Sequence, residues 1–509
     1  MSAPQLTQRR GVPAASAAIV GFFAAAVLPR ASWPLIDGDV WWHIRAGEEV
    51  LRSGRIPGVD TWSIVGAGRA WTSQDWLANV LLAAGNGAGP WGQTALSLLF
   101  GLLVVATFWV LWQAIALRVP TIGWASRLIW LSIGLALAGP VMGVRVQVFD
   151  LLLSSIVLWI CWRYVVDPRR RWLIGLPVVA AVWANLHAGW PLLFLIGGAT
   201  LAGEAVDRLL RRRLIGPPPL DWGQLRDLGL ALAAAAAALV LNPNGIALYR
   251  YPLDTVGITA LSRYVMEWFP ATLDTLFGQL LAAFVVVAVV PTLVFGRRRL
   301  RTADILILVG LTLLAYGAIR FLLLVGPIGA AIVAVILAPL LAESRFGRGV
   351  APILARLSLP AVGRRGAVHL GIAGLLLVLG IGVALARTSP AQQAVEIARV
   401  LPAGAVDWMD AHEPGSRIFN RYEWGGYIGQ HRPQQLIFMD GRADVYGDAL
   451  LQEYVAIIGV RDDPQVAFDR YGIDYAVFPP DTPLGDWFDA SSRWERVYGD
   501  ETAAIWVLH

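Results

Sequence analysis

The stretch DGDVWWHIRAGEEVLRSG, residues 37–54, follows the first long apolar run of the chain. It places two acids, two tryptophans and a histidine within seven residues, 37–43. Read as a helix from about Val40, it puts Ile44, Gly47, Val50 and Leu51 on one arc. Arg45, Glu48, Glu49 and Arg52 share another, at about 100° per residue. That is the pattern of a helix lying flat at a membrane interface. Asp37 and Asp39 stand at its N-terminal end, where the helix dipole favours a carboxylate. Asp39 also has the residue type and position of an N-cap. Trp41 and Trp42 read as interfacial anchors. His43, near the apolar arc, reads as packing or a sugar contact.

The rest of the chain explains why such a helix is there. Of 509 residues, 57% are hydrophobic and 15% charged, against roughly a quarter charged in soluble proteins. Mean hydropathy is +0.59. The apolar residues come in long runs, so the class is a polytopic α-helical membrane protein. All 41 basic residues are arginine, and the net charge is +5. The arginines cluster in short tracts between apolar runs, which indicates membrane topology and excludes a nucleic-acid partner. The single Cys161 excludes an internal disulfide and a cysteine metal cage. Arg9 and Arg10 precede the first run and predict an uncleaved anchor with a cytoplasmic N-terminus.

A membrane helix takes about 20 apolar residues. Eleven spans are predicted, at 15–36, 94–118, 122–143, 146–166, 172–187, 188–207, 225–241, 275–296, 303–319, 321–341 and 367–387. With the N-terminus inside, this number places the arginine tracts near 168–171, 208–213, 297–301 and 343–365 all in the cytoplasm. It places 37–93, 242–274 and the tail from 389 outside. The segment DWLANVLLAAG, 75–85, is too short to span, and counting it would flip every later tract. It is therefore read as a second interfacial helix. The domains are thus a membrane part, 1–388, and a soluble extracytoplasmic α/β domain, 389–509. In the tail GSRIFN, QQLIFMDG, DYAVFPP and AAIWVL read as strands, and AVDWMDAH and LLQEYVAII as helices.

The spacing from Asp39 to Gly54, on a helix leaving the first span, resembles the first outer loop of the GT-C superfamily. Its protein O-mannosyltransferase and aminoarabinose transferase branches open this loop with an acidic pair. Val40 stands where the second acid is usual, and Asp37 supplies a carboxylate in an Asp-x-Asp arrangement instead. VRVQVFD (144–150), WANLHAGW (183–190), LNPNGIALYRYPLDT (241–255) and YEWGGYI with FMDGRADVYG (422–447) resemble segments of a bacterial GT-C-like branch.

The resemblance implies a membrane glycosyltransferase of the bacterial plasma membrane. It would take a polyprenyl-phosphate-linked sugar and a glycan, lipid or protein acceptor, and it would invert the anomeric centre. Asp39 is the implied base, with Asp37 holding its geometry. The two acids could also share a divalent cation, Mg or Mn, the one cofactor considered. Arg145, Arg320 and His187 fall between spans on the outer side and are candidates for the donor phosphate. Candidates for substrate contact are His43, Asp75, Tyr249, Arg250, Glu267, Trp268, Glu423, Trp424 and Arg442. Arg442 with Asp444 also reads as an ion pair, and Asn242 and Asn244 as turn residues. Two other readings remain open: a transporter of lipid-linked sugars, and a non-catalytic glycan-binding scaffold.

Overall fold

The computed structural model describes residues 14–296, 298–345, 347–349 and 364–509. Arg9, Arg10, Arg297 and most of the 343–365 loop lie outside the described residues. Each predicted span is a helix. α1 is Ala14–Ala31. The amphipathic helices α2, Gly38–Ser53, and α3, Trp76–Asn86, follow. α4 to α9 are Gly92–Arg118, Trp124–Ala138, Gln147–Val166, Gly175–Leu186, Pro191–Leu209 and Trp222–Ala238. Two short helices, α10 Tyr251–Val256 and α11 Thr259–Tyr264, lie in the next joint. α12 runs Leu276–Phe295 with a π-helical turn at Val285–Val289. α13 is Thr302–Gly317, α14 Leu322–Glu343 and α15 Arg364–Thr388.

Seven of these helical stretches are long and apolar enough to cross a membrane on those criteria alone. The chain is a multi-pass membrane protein. α14 is apolar all round, and Leu322 to Ala338 are buried without a break, as a central helix requires. The span predicted at 122–143 ends early because Gly139-Pro140 tightens the last turn to a 3-10 form.

The charge parity has a geometric counterpart. The joints read as outer meet at one end of the bundle: Arg145 pairs with Asp37 and Glu267, and Glu267 with Arg320. Asn242 donates to the carbonyls of Gln74 and Ala184. The joints read as inner meet at the other end, through Arg118–Asp304, Arg212–Asp207 and Arg301–Glu204.

The C-terminal part carries a four-stranded sheet in the order β1-β2-β4-β3: Ile418–Asn420, Tyr475–Phe478, Trp494–Gly499 and Ala504–Leu508. β1 and β2 are parallel, and the other pairs antiparallel. Two sequence expectations fail here. QQLIFMDG is not a strand: Leu436 and Ile437 make only isolated bridges, to Arg417 and Ser63. WERVYG, unpredicted, is β3, an edge strand whose mixed polarity hides its period. The helices are α16 Pro390–Val400, α17 Ala403–His412, α18 Gly425–His431, α19 Ala443–Ile458, α20 Pro464–Tyr471 and α21 Pro483–Ala490.

Candidate active site

α2 begins at Gly38, and its N-cap is Asp37, whose side chain accepts from the Asp39 amide at 2.9 Å. The cap is therefore Asp37 and not Asp39, which lies in the first turn. α2 is also more enclosed than a helix lying at an interface. Trp41 and Trp42 are 1% and 8% exposed, so they are core residues and not interfacial anchors. Trp41 packs edge-on against Tyr427 and donates to the Leu35 carbonyl. α2 is clamped between α3 and α18. A Cβ at Gly38 would collide with the Glu423 carbonyl, and one at Gly441 with the Asp39 carboxylate. Only glycine permits these approaches, so the C-terminal part forms one wall around the α2 N-terminus.

Asp39 is half-buried, and among the described residues the one hydrogen bond to its carboxylate comes from Trp42 Nε1, at 3.2 Å. Among the described residues it has no ion-pair partner. Burial first, then the Asp37 and Glu267 carboxylates, push its carboxyl well above the usual carboxylate range, against the pull of Arg145. Asp37 is held by the Arg145 guanidinium. Arg145 reaches on to Glu267 at 3.1 Å, and Arg320 meets the other Glu267 oxygen at 2.9 Å. Arg320 also stacks on Trp268, 4.6 Å from the ring centre. Burial works to raise Glu267, but Arg320 and Arg145 hold it below its ordinary value. A small opening of about 260 Å³ is lined by Asp37, Asp39, His43, Arg145 and Gln147, with apolar neighbours.

His43 is 4% exposed, with Nδ1 2.6 Å from Asn79 Oδ1 and 3.3 Å from Asp75. Burial lowers it against the raising charge of Asp75, so it is neutral at pH 7. His187 caps the end of α7 and lies 2.6 Å from Asp150.

Other candidates sit elsewhere. Tyr249 donates to the Ala236 carbonyl and packs on Trp190, bracing α9. The Arg250 side chain is 82% exposed, with only Asp254 at 3.9 Å. Glu423 pairs with Arg421, and Trp424 is buried and donates to the Val400 carbonyl. Arg442 is enclosed between Trp62 and Trp71, bound to Asp440 and Asp60. It is a strut joining the 37–93 loop to the C-terminal part, with no surface for substrate, and its partner is not Asp444. Asn242 is more than a turn residue: it is 2% exposed and ties three segments together.

Sequence reasoning passed over Asp150 and Asn79. Both sit inside quoted stretches, and their polarity within apolar surroundings was the available signal.

Among the described residues no three His, Cys, Asp or Glu side chains are grouped to hold a metal. Asp37 has one oxygen on Arg145 and another on the Asp39 amide. This donor set does not fit a cation shared by Asp37 and Asp39.

The fold, a helical bundle with amphipathic helices after the first span and an α/β tail over the same end, is similar to that of a solved oligosaccharyltransferase. An Archaeoglobus fulgidus oligosaccharyltransferase, solved with Zn and sulfate, matches 93% of this chain and 69% of its own, with TM-score 0.50 and 13% identity. ArnT of Cupriavidus metallidurans, solved in the apo state and bound to undecaprenyl phosphate, matches over 96% of both chains. Its TM-score is 0.49, at 16% and 15% identity. No family profile and no curated protein matches the sequence.

Proposed function

We propose that this protein moves a sugar from a polyprenyl-phosphate donor to an acceptor hydroxyl at the non-cytoplasmic face of the membrane, with inversion. The observation that carries the reading is the convergence on the α2 N-terminus. A nearly unpartnered Asp39 lies beside Arg145 and Glu267, and Arg320, from a separate joint of the bundle, shares that glutamate with Arg145. The likeness of fold to an oligosaccharyltransferase supports sugar transfer.

In this reading the acceptor oxygen attacks the anomeric carbon as the bond to the phosphate oxygen breaks. The bonding pair leaves with the phosphate, and the hydroxyl proton passes to Asp39. Arg145 and Arg320 stabilise the charge that gathers on the phosphate. Glu267 bridges the two guanidiniums, and Asp37 holds Arg145 and caps α2. A carboxyl with a raised pKa is the stronger base. The rate falls as pH drops through the Asp39 titration, and this acid limb lies above the ~3.9 of an ordinary aspartate. No step is routed through a cation. Rates that collapse on chelation and return with Mg or Mn would overturn that part.

The sidedness rests on the arginine tracts, which put the site and the C-terminal part outside. A reporter fused after residue 90 is expected to be extracytoplasmic.

The decisive assay gives purified protein in lipid discs a panel of polyprenyl-phosphate sugars and glycan, lipid and peptide acceptors. Transfer by the native chain and none by Asp39→Asn is expected. Full transfer by the variant removes Asp39 as base. Donor binding without transfer by the native chain identifies a scaffold.

A further inference from the structure

Beyond the arginine pair, the end of α7 is built around one imidazole. The helix stops at His187, whose backbone turns extended while its amide still donates to the Trp183 carbonyl. His187 Nδ1 lies 2.6 Å from Asp150 Oδ2. The other Asp150 oxygen accepts from Trp183 Nε1 at 2.7 Å, so both carboxylate oxygens are fixed. Gly189 leaves the carboxylate its room, since a Cβ there would overlap it. Asn185, two residues before the histidine, accepts from Trp76 Nε1 at 2.6 Å and lies 3.4 Å from Asn242 Nδ2. Asn242 also donates to the Ala184 carbonyl.

Three helices and a loop thus spend buried polar groups on holding one short turn. In an apolar bundle such groups are costly unless they serve a site. With Nδ1–H on the carboxylate, the ring orientation is set and Nε2 is presented outward. Among the described residues Nε2 has no hydrogen bond, and the side chain is 13% exposed. The charged and titratable groups facing this ring are Asp150 from α6, His43 from α2 and Glu267 from the loop after α9. Glu267 is the residue that both arginines hold.

We propose that Asp150 is a positioning residue that fixes His187 as a third, proton-bearing donor to the lipid phosphate. This rests on the transferase reading above. At the transfer step the bond between the anomeric carbon and the phosphate oxygen breaks, and the pair stays on that oxygen. The Nε2 proton of the imidazolium hydrogen-bonds the resulting dianion and can pass to it, leaving neutral His187 and a phosphate monoanion. The acceptor's proton is on Asp39, so the charges balance. Asp150 holds Nδ1 and so keeps Nε2 aimed outward through the step, as an orienting carboxylate does.

The test uses the full chain in lipid discs with undecaprenyl phosphate as the probe, binding being followed from about pH 5 to pH 8, where histidines charge. The native protein is expected to bind more weakly as pH rises. His187→Gln should bind about tenfold more weakly at the acid end and lose the pH dependence. Asp150→Asn keeps the shape and the Trp183 bond. It should shift the weakening to lower pH, which a merely structural role would not do. Native-like affinity and pH dependence in both His187→Gln and Asp150→Asn overturns this inference and leaves the transferase reading standing. No binding by the native chain overturns the transferase reading itself. If His187→Gln fails to fold, the pH shift in Asp150→Asn decides the matter alone.

Discussion

The two ends of the bundle arrange their paired charges in opposite ways. At the end read as cytoplasmic, the pairs that tie helices together are matched and sealed. Arg301 grips Glu204 with side-chain exposures of 3% and 0%, and Arg118 grips Asp304 at 5% and 1%. At the other end Asp37 and Glu267 take up Arg145 and Arg320, and Asp39 is left over. These pairs are also more open, with Arg145 at 35% and Glu267 at 21%. Matched, buried pairs fix helices in place. A mismatched, partly open cluster of the same residue types can exchange partners with a charged ligand.

Four substitutions put that contrast at risk. The largest effect is expected from Asp39→Asn, a loss of transfer of about 10²- to 10⁴-fold with an unchanged melting curve. A variant that melts early would mean Asp39 belongs with the structural pairs. Next is Arg301→Ala, which strands Glu204 without a counter-charge. The cost should be about 3–5 kcal/mol, seen as early unfolding in detergent with normal undecaprenyl phosphate affinity in what remains folded. Arg320→Ala should do the reverse: donor affinity falls about tenfold, while stability barely moves because Glu267 keeps Arg145.

The smallest effect concerns Asp444, which burial and then the Asp75 charge raise to about 7. A carboxyl raised in the folded state carries no penalty below the unfolded value of ~3.9. The penalty grows with pH and is complete above the folded value. Asp444→Asn should therefore add about 1–2 °C to the melting temperature above pH 7, with the gain fading toward pH 4. A gain that is flat with pH would place its origin elsewhere.

The membrane fold was legible because span length and arginine parity are one-dimensional signals. Every predicted span is a helix, and α3 is the short helix that parity demanded. The site was legible in part. Asp39, Asp37, Arg145, Arg320 and Glu267 could be suspected because charges beside spans need a reason. What sequence does not show is who pairs with whom. Arg442 looked like a ligand residue because its partners, Asp60 and two tryptophans, lie in the 37–93 loop. Trp41 and Trp42 looked like anchors because nothing local says that α18 covers them. β3 was missed because WERVYG alternates poorly at a sheet edge.

The contact of Gly441 with Asp39 joins positions about 400 residues apart, among the most non-local pairings a chain can make. α2 is synthesised early and waits, with one wall missing, until the last stretch of the chain has been made and has folded against it. A chain interrupted between 389 and 441 would possess the bundle, both arginines and the aspartate, yet no finished enclosure around them. Under the proposed reading, activity would then report that synthesis had passed Gly441.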